Sequence, residues 1–218
     1  MWKFYEEDGK LHTTTTYVND QRNGTEVRFF PDGNKNQISI YKDGELDGVY
    51  IKNNSDGSLA YQINFEDGFA RSYTYPGKDG KLVTPVILSP VNDTLKAYFQ
   101  NGKLARLCAY DNGLKNGKDV MYYSDGQVWS VDNAVYGISE GSYTEYYPNG
   151  KLKSEYPYAV DNVDGICREY YATGTLKKEE PYDNGSYEGM VKYFDSGGKP
   201  VKTLQYLFGS LITVKDEK

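Results

Sequence analysis

His12 is the only histidine in a chain of 218 residues, so any chemistry that needs an imidazole must run through it. A two-histidine metal site is excluded on that count, and a hydroxyl or thiol nucleophile would need this one ring as its base. His12 stands in the threonine-rich run LHTTTTY, with no cysteine near it in sequence. A solvated surface histidine is the expectation. The acidic runs Glu6-Glu7-Asp8 and Glu179-Glu180 offer paired carboxylates. Glycoside hydrolysis needs two carboxyl groups converging across a cleft, about 5–10 Å apart. Neighbours along a strand point to opposite faces, so solvated charge is the better reading. The Asn/Asp/Gly clusters hold fragments of a calcium loop without the full ligand series and its closing glutamate. The glycines lack the strand-to-helix setting of a phosphate loop. The sequence therefore assigns no catalytic, metal-binding or cofactor-binding residue and points to a non-enzymatic protein.

The elements that would position any site come from a repeat. The stretch Gly141 to Gly165 reads GSYTEYYPNGKLKSEYPYAVDNVDG, and the next, GICREYYATGTLKKEEPYDNGSYEG, repeats it with glycine at 165, 174 and 189. Turn glycines fall at 9, 33, 57, 80, 102, 126, 150, 174 and 198, a pitch of 24 residues that shrinks to 23 and 22 only around the fourth and fifth. Strand-opening glycines precede the turns by nine at 24, 48, 117, 141, 165 and 189. An aromatic follows the turn by eight at Tyr17, Tyr41, Phe65, Tyr110, Tyr158, Tyr182 and Tyr206. Units this short, with no long crossover, can only meander into neighbouring antiparallel strands. Each unit reads as a hairpin: one strand near Tyr143 to Tyr147, an Asn-Gly or Asp-Gly turn that accepts positive φ, and a second strand from Lys151 to Tyr158. The predicted fold is all-β: an elongated, twisted, single-layer antiparallel meander of about nine 24-residue hairpin repeats. At ~4.8 Å per strand, some 18 strands would run to roughly 85 Å.

Residues 1–218 read as one array, because stacked units share a continuous core. The irregular segment is 82–97, LVTPVILSPVNDTLKA, with two prolines and no glycine. Pro85 and Pro90 cannot donate ladder hydrogen bonds and mark an edge, a bulge or a bend. Asp93 stands where a strand-opening glycine belongs. The segment reads as a degenerate repeat packed on its neighbour, with a hinge or partner dock as the other reading. Cys108 and Cys167 lie five strands apart in this frame. That is about 24 Å, against the ~7 Å limit between disulfide Cα atoms, so two free thiols are expected.

Tyrosine is the compositional outlier, with 23 residues. Doubled aromatics recur at one repeat position: Phe29-Phe30, Tyr122-Tyr123, Tyr146-Tyr147 and Tyr170-Tyr171. Alternation along a strand would send one ring of each pair to each side of the sheet. Tyr122, Tyr146 and Tyr170 form one run and Tyr123, Tyr147 and Tyr171 the other. These six are the candidate partner-binding residues. The competing reading is that the same rings hold neighbouring units together, as cross-strand pairs do.

The unit, with a tyrosine pair followed by Asn-Gly-Lys-Leu and a glycine at its close, resembles the MORN repeat, and most closely its bacterial variant. YYPNGKLKSEYPY and YFQNGKLARLCAY carry the resemblance, with YYATGTLKKEEPY and YYSDGQVWS looser. It implies an extended antiparallel β-array used for contacts with other molecules. Family members are linked to membrane attachment, scaffolding and, in bacteria, antitoxin-like or surface roles.

A net charge of −6 with interspersed signs speaks against nucleic acid and anionic lipid as partners, and no polybasic patch or amphipathic helix supports lipid binding. The function expected is a scaffold mediating protein–protein interaction through an aromatic-lined β surface. The alternative is a carbohydrate- or cell-wall-binding surface module, with polysaccharide stacked on the rings. The N-terminus, MWKFYEEDGKLH, lacks the features of a signal peptide. The repeat frame nevertheless puts a missing glycine at position zero. The chain is cytoplasmic as written, or exported to the cell surface if a leader was removed before Met1.

Overall fold

The computed structural model describes residues 1–6 and 8–216; Glu7, one of the acidic residues weighed above, and the terminal Glu217-Lys218 lie outside the described residues. Every regular element described is a β-strand. The strands pair antiparallel as consecutive hairpins, and the sheets stay open instead of closing into a barrel. This is the all-β hairpin array that the 24-residue period predicts.

One repeat shows how the sequence dictates the unit. Strand Gly141–Tyr146 pairs with strand Leu152–Ala159. The chain then doubles back through the two-residue strand Asn162–Val163, which pairs only with the end of Leu152–Ala159. Strand Gly165–Tyr170 follows and pairs with its middle, Ser154 opposite Glu169 and Glu155 opposite Arg168.

The two turns of the unit are of different kinds, which corrects the turn chemistry expected at Asn149-Gly150. There the Gly150 amide donates to the Tyr147 carbonyl at 2.8 Å, and the Tyr147 amide donates to the Lys151 carbonyl at 2.8 Å. Only Gly150 has positive φ, at 77°. This is a type I turn followed by a left-handed glycine. Asn149 serves through its side chain: its Oδ1 accepts the Lys151 amide at 3.0 Å. Asp8, Asp32, Asp56, Asp79, Asn101 and Asp125 do the same in their repeats. Asp or Asn is favoured before the glycine as an acceptor for the amide two residues on. The turn with two positive φ values is the other one. Val160 and Asp161 lie at 49° and 64°, and the same pair of conformations recurs from Asn19-Asp20 through Phe208-Gly209. These are type I′ turns, whose twist suits a two-residue hairpin loop.

Among the described residues, a β-bulge recurs at the same place in eight hairpins. Glu145 faces Ser154 and Tyr146 faces Leu152, leaving Lys153 as the extra residue. His12, Asn36, Ala60, Ala105, Trp129, Lys177 and Val201 hold the equivalent place. Bulges bend a strand and re-aim a side chain. Here Lys153 and Trp129 both reach the Glu145 carboxylate, at 2.9 and 3.0 Å.

Pro157 and Pro181 lie inside strands flanked on both sides, where proline is ordinarily excluded. Beside each one the ladder to the following strand is interrupted. The Asp164 amide donates to the Pro157 carbonyl and the Glu188 amide to the Pro181 carbonyl, at 3.0 and 3.1 Å, and regular pairing resumes only further along. The amide that proline lacks falls in this gap. The strand-opening glycine passes beneath the proline ring. A Cβ on Gly165 would stand 3.0 Å from Pro157 Cγ, and φ there is +116°.

The chain forms two compact units, residues 1–114 and 115–218. The first holds an apolar core in which Tyr61, Ile63, Phe65, Tyr73, Leu88, Leu95, Cys108 and Tyr110 are buried together. The irregular segment closes one sheet there and opens the next. Val86–Ile87 is a two-residue edge strand on Phe69–Thr74, Leu88 enters the core, and Asp93–Tyr98 starts a new hairpin with Leu104–Asp111. Asp93 opens that strand in place of glycine and accepts the Ser89 and Thr94 amides, each at 2.7 Å.

Candidate interaction face

In the C-terminal unit the two faces of the sheet differ in burial. One face carries Asp119, Ser130, Ser154, Cys167, Glu180 and Val191, all buried. We call it the inner face. Its half-buried tyrosines are tied to carboxylates and to one another. Tyr156 Oη donates to Glu169 at 3.3 Å and Tyr187 Oη to Glu180 at 2.7 Å. Lys178 meets Glu180 at 2.8 Å. The rings of Tyr182, Tyr187 and Tyr206 lie in series, with centroids 4.5 and 4.7 Å apart. Burial, with Glu169 next, raises the Tyr156 hydroxyl far above the ordinary phenol range. This network does for the C-terminal unit part of what an apolar core does for the first.

The six sequence-predicted tyrosines are all half-buried, and the two runs take different places. Tyr123, Tyr147 and Tyr171 leave the strand at the type I turn and lie against the next repeat. Their hydroxyls donate to the carbonyls of Tyr146, Tyr170 and Phe194 at 2.6, 2.7 and 2.8 Å, each 23 residues on. Each acceptor is the last residue of its strand, beside the bulge. These three rings join one repeat to the next. Burial pushes the Tyr123 hydroxyl up to about 12, with the Glu145 charge second.

Tyr122, Tyr146 and Tyr170 end their strands on the opposite, outer face. The register fixes this: Thr144 lies opposite Glu155, and Tyr146 is two residues further along the same strand. Around them runs a charge ladder. Arg168 sits between Glu155 at 3.1 Å and Glu179 at 3.2 Å, and Lys192 approaches Glu179 at 3.6 Å. Tyr170 Oη donates to Glu155 Oε1 at 3.2 Å. Burial and then the Glu155 carboxylate raise the Tyr170 hydroxyl. Ile166 and Met190 are exposed on the same face, two strand positions from Arg168 and Lys192. Sequence reasoning marked Tyr158, Tyr182 and Tyr206 by their spacing but did not place them. The face they occupy depends on register at the bulge, which no residue type announces.

Neither cysteine is in a disulfide; both are buried, Cys108 in the first unit and Cys167 in the second. His12 bonds Thr13 through Nδ1 at 3.0 Å, and its Nε2 lies 3.7 Å from Glu6. Among the described residues, no group of three or more His, Cys, Asp or Glu is placed to hold a metal ion. No helix among them is long and apolar enough to cross a membrane.

This hairpin unit is also where the chain matches a known family. The family model for the MORN repeat variant matches residues 1–19, 139–159 and 163–184. These three segments resemble MORN-variant repeats. The second and third matches cover the hairpins bearing Tyr146, Tyr147, Tyr170 and Tyr171. No curated protein matches the chain. MORN repeats are a non-catalytic family whose general use is as modules for contacts with proteins and membranes.

Proposed function

We propose that this MORN-variant protein is a non-enzymatic scaffold that binds a protein partner through the outer face of its C-terminal unit. The observation that carries this reading is the division of labour within each tyrosine pair. One ring of each pair is committed to the next repeat by its hydroxyl, while Tyr122, Tyr146 and Tyr170 recur at one repeat pitch on the face with exposed Ile166 and Met190. Aromatic and arginine anchors beside apolar side chains are the usual energetic centre of a protein interface. The MORN-variant match supports the coarse function class, and the exposed side chains of the outer face support the proposed location. The polysaccharide alternative draws less support, because the most closely stacked rings, Tyr182, Tyr187 and Tyr206, spend their faces on one another.

The experiment is affinity capture from lysate and envelope fractions of the source cell, followed by titration of the captured protein against two double variants. Tyr146→Ala with Tyr170→Ala should weaken binding at least tenfold while the chain stays folded. Tyr147→Phe with Tyr171→Phe should leave binding intact. Recovery of polysaccharide without protein, or unchanged binding by the first double variant, would overturn the reading.

A further inference from the structure

The first residue of each type I′ turn must adopt positive φ, which asparagine, aspartate and glycine tolerate and bulky side chains resist. Asn19, Asp43, Asp67, Asn112 and Asn184 follow that chemistry. Three turns of the C-terminal unit break it: Tyr136, Val160 and Phe208 stand at φ 48°, 49° and 47°. They are also 56%, 66% and 85% exposed, so the fold gains little packing in return for the strain. Val135, Ile138 and Leu207, next to these tips, are exposed too.

The tips form a row because each turn is tied to the repeat before it. The amides of Asp161, Gly185 and Gly209 donate to the carbonyls of Ser139, Val163 and Tyr187 at 2.8 to 3.1 Å. Carboxylates lock the strained residues: Glu140 accepts the Val160 amide at 3.1 Å and Glu188 the Phe208 amide at 2.7 Å. Successive tips are two strands apart, about 10 Å, with the polar Asn184 tip standing between those of Val160 and Phe208. The row is mostly acidic, with Lys115 beside the Tyr136 tip paired to Asp132 at 3.6 Å. Residues 132–142, 156–166, 180–190 and 204–214 contain seven Asp or Glu and no Lys or Arg. Lys151 and Lys199 belong to the type I turns at the other end of the strands.

We propose that this row of turn tips is a docking ridge for a basic amphipathic helix of a partner protein. Apolar tips in an acidic field complement apolar side chains flanked by Lys and Arg and repel anionic lipid. A helix rises 1.5 Å per residue, so apolar residues seven apart advance about 10.5 Å and keep step with the tips. The ridge is separate from the outer face carrying Tyr146 and Tyr170, and either reading can stand without the other.

The test uses the full chain and a synthetic helical peptide with leucine at every seventh position and lysine beside it. Fluorescence anisotropy should show saturable binding that weakens steeply with added salt. A peptide with glutamate in place of lysine should not bind. Val160→Asn with Phe208→Asn should raise the melting temperature, since asparagine suits the turn, yet weaken the basic peptide at least tenfold. Tyr146→Ala with Tyr170→Ala should leave that affinity unchanged. Absence of saturable binding, equal binding of the glutamate peptide, or full affinity in the Val160/Phe208 variant would overturn the proposal. So would ridge-dependent binding to phosphatidylcholine vesicles in place of the peptide.

Discussion

The hydroxyl of Tyr147 donates to the carbonyl oxygen of Tyr170, 2.7 Å away and 23 residues further along the chain. Tyr170 is the last residue of its strand, and its own hydroxyl turns outward to Glu155. One tyrosine of each pair thus fastens the repeat that presents the other. A half-buried neutral hydrogen bond of this kind contributes about 1 kcal/mol net. Tyr147→Phe should keep the ring, lose the bond and destabilise the chain by about that much in urea titrations. Tyr171→Phe, acting on Phe194 O one repeat later, should cost a similar amount. A loss of several kcal/mol in either variant would mean that the ring has moved.

Gly165 and Gly141 open successive strands and give a controlled comparison. Both have positive φ, 116° and 84°. A Cβ on Gly165 meets Pro157 at 3.0 Å, whereas on Gly141 the nearest neighbour is the Asn133 side chain at 4.0 Å. Gly165→Ala should lower stability by about 1–3 kcal/mol, and Gly141→Ala by clearly less. Gly165→Ala combined with Pro157→Ala should recover part of the loss, because the clash is removed while the backbone strain remains. Denaturant midpoints of the three variants decide the point.

Alkaline pH tests the inner face. Burial, with the Glu180 charge second, pushes the Cys167 thiol from an ordinary 9.0 up to about 12, and Tyr123 rises from 10.0 to about 12. The native state therefore keeps protons that the unfolded chain releases. The stability tied to them is complete below pH 9 and is lost as pH rises from there toward about 12. Urea midpoints measured from pH 8 to 11 should fall with pH, and Cys167→Ala should flatten the fall. In the same preparation, thiol titration at pH 8 should find almost no reactive group in the native chain and two after denaturation without reductant. Fewer than two would mean an oxidised pair.

How much of this was legible in the sequence depends on whether one residue type has one physical use. The period, the hairpins and the free thiols follow from glycine and aromatic spacing, because few residues other than glycine take φ near 90°. The face of each tyrosine was harder. It turns on a bulge whose extra residue is His12, Asn36, Ala60, Ala105, Trp129, Lys153, Lys177 or Val201, a set with no shared chemistry. Asn149-Gly150 and Asn184-Gly185 look alike in sequence and build different turns. What separates them is how many ladder bonds the flanking strands close, a property of pairing rather than of the dipeptide. The proline interruptions were invisible for the same reason: a strand read over Lys151 to Tyr158 carries Pro157 with no sign of the gap beside Asp164.

The most direct measurement is site-specific photocrosslinking in the source cell. A benzophenone side chain replaces Tyr146 on the outer face in one protein and Tyr156 on the inner face in another, and adducts are read by mass spectrometry. The account predicts one dominant protein adduct from position 146 and none from position 156. Adducts from position 156 alone, or a carbohydrate adduct at position 146, would contradict it.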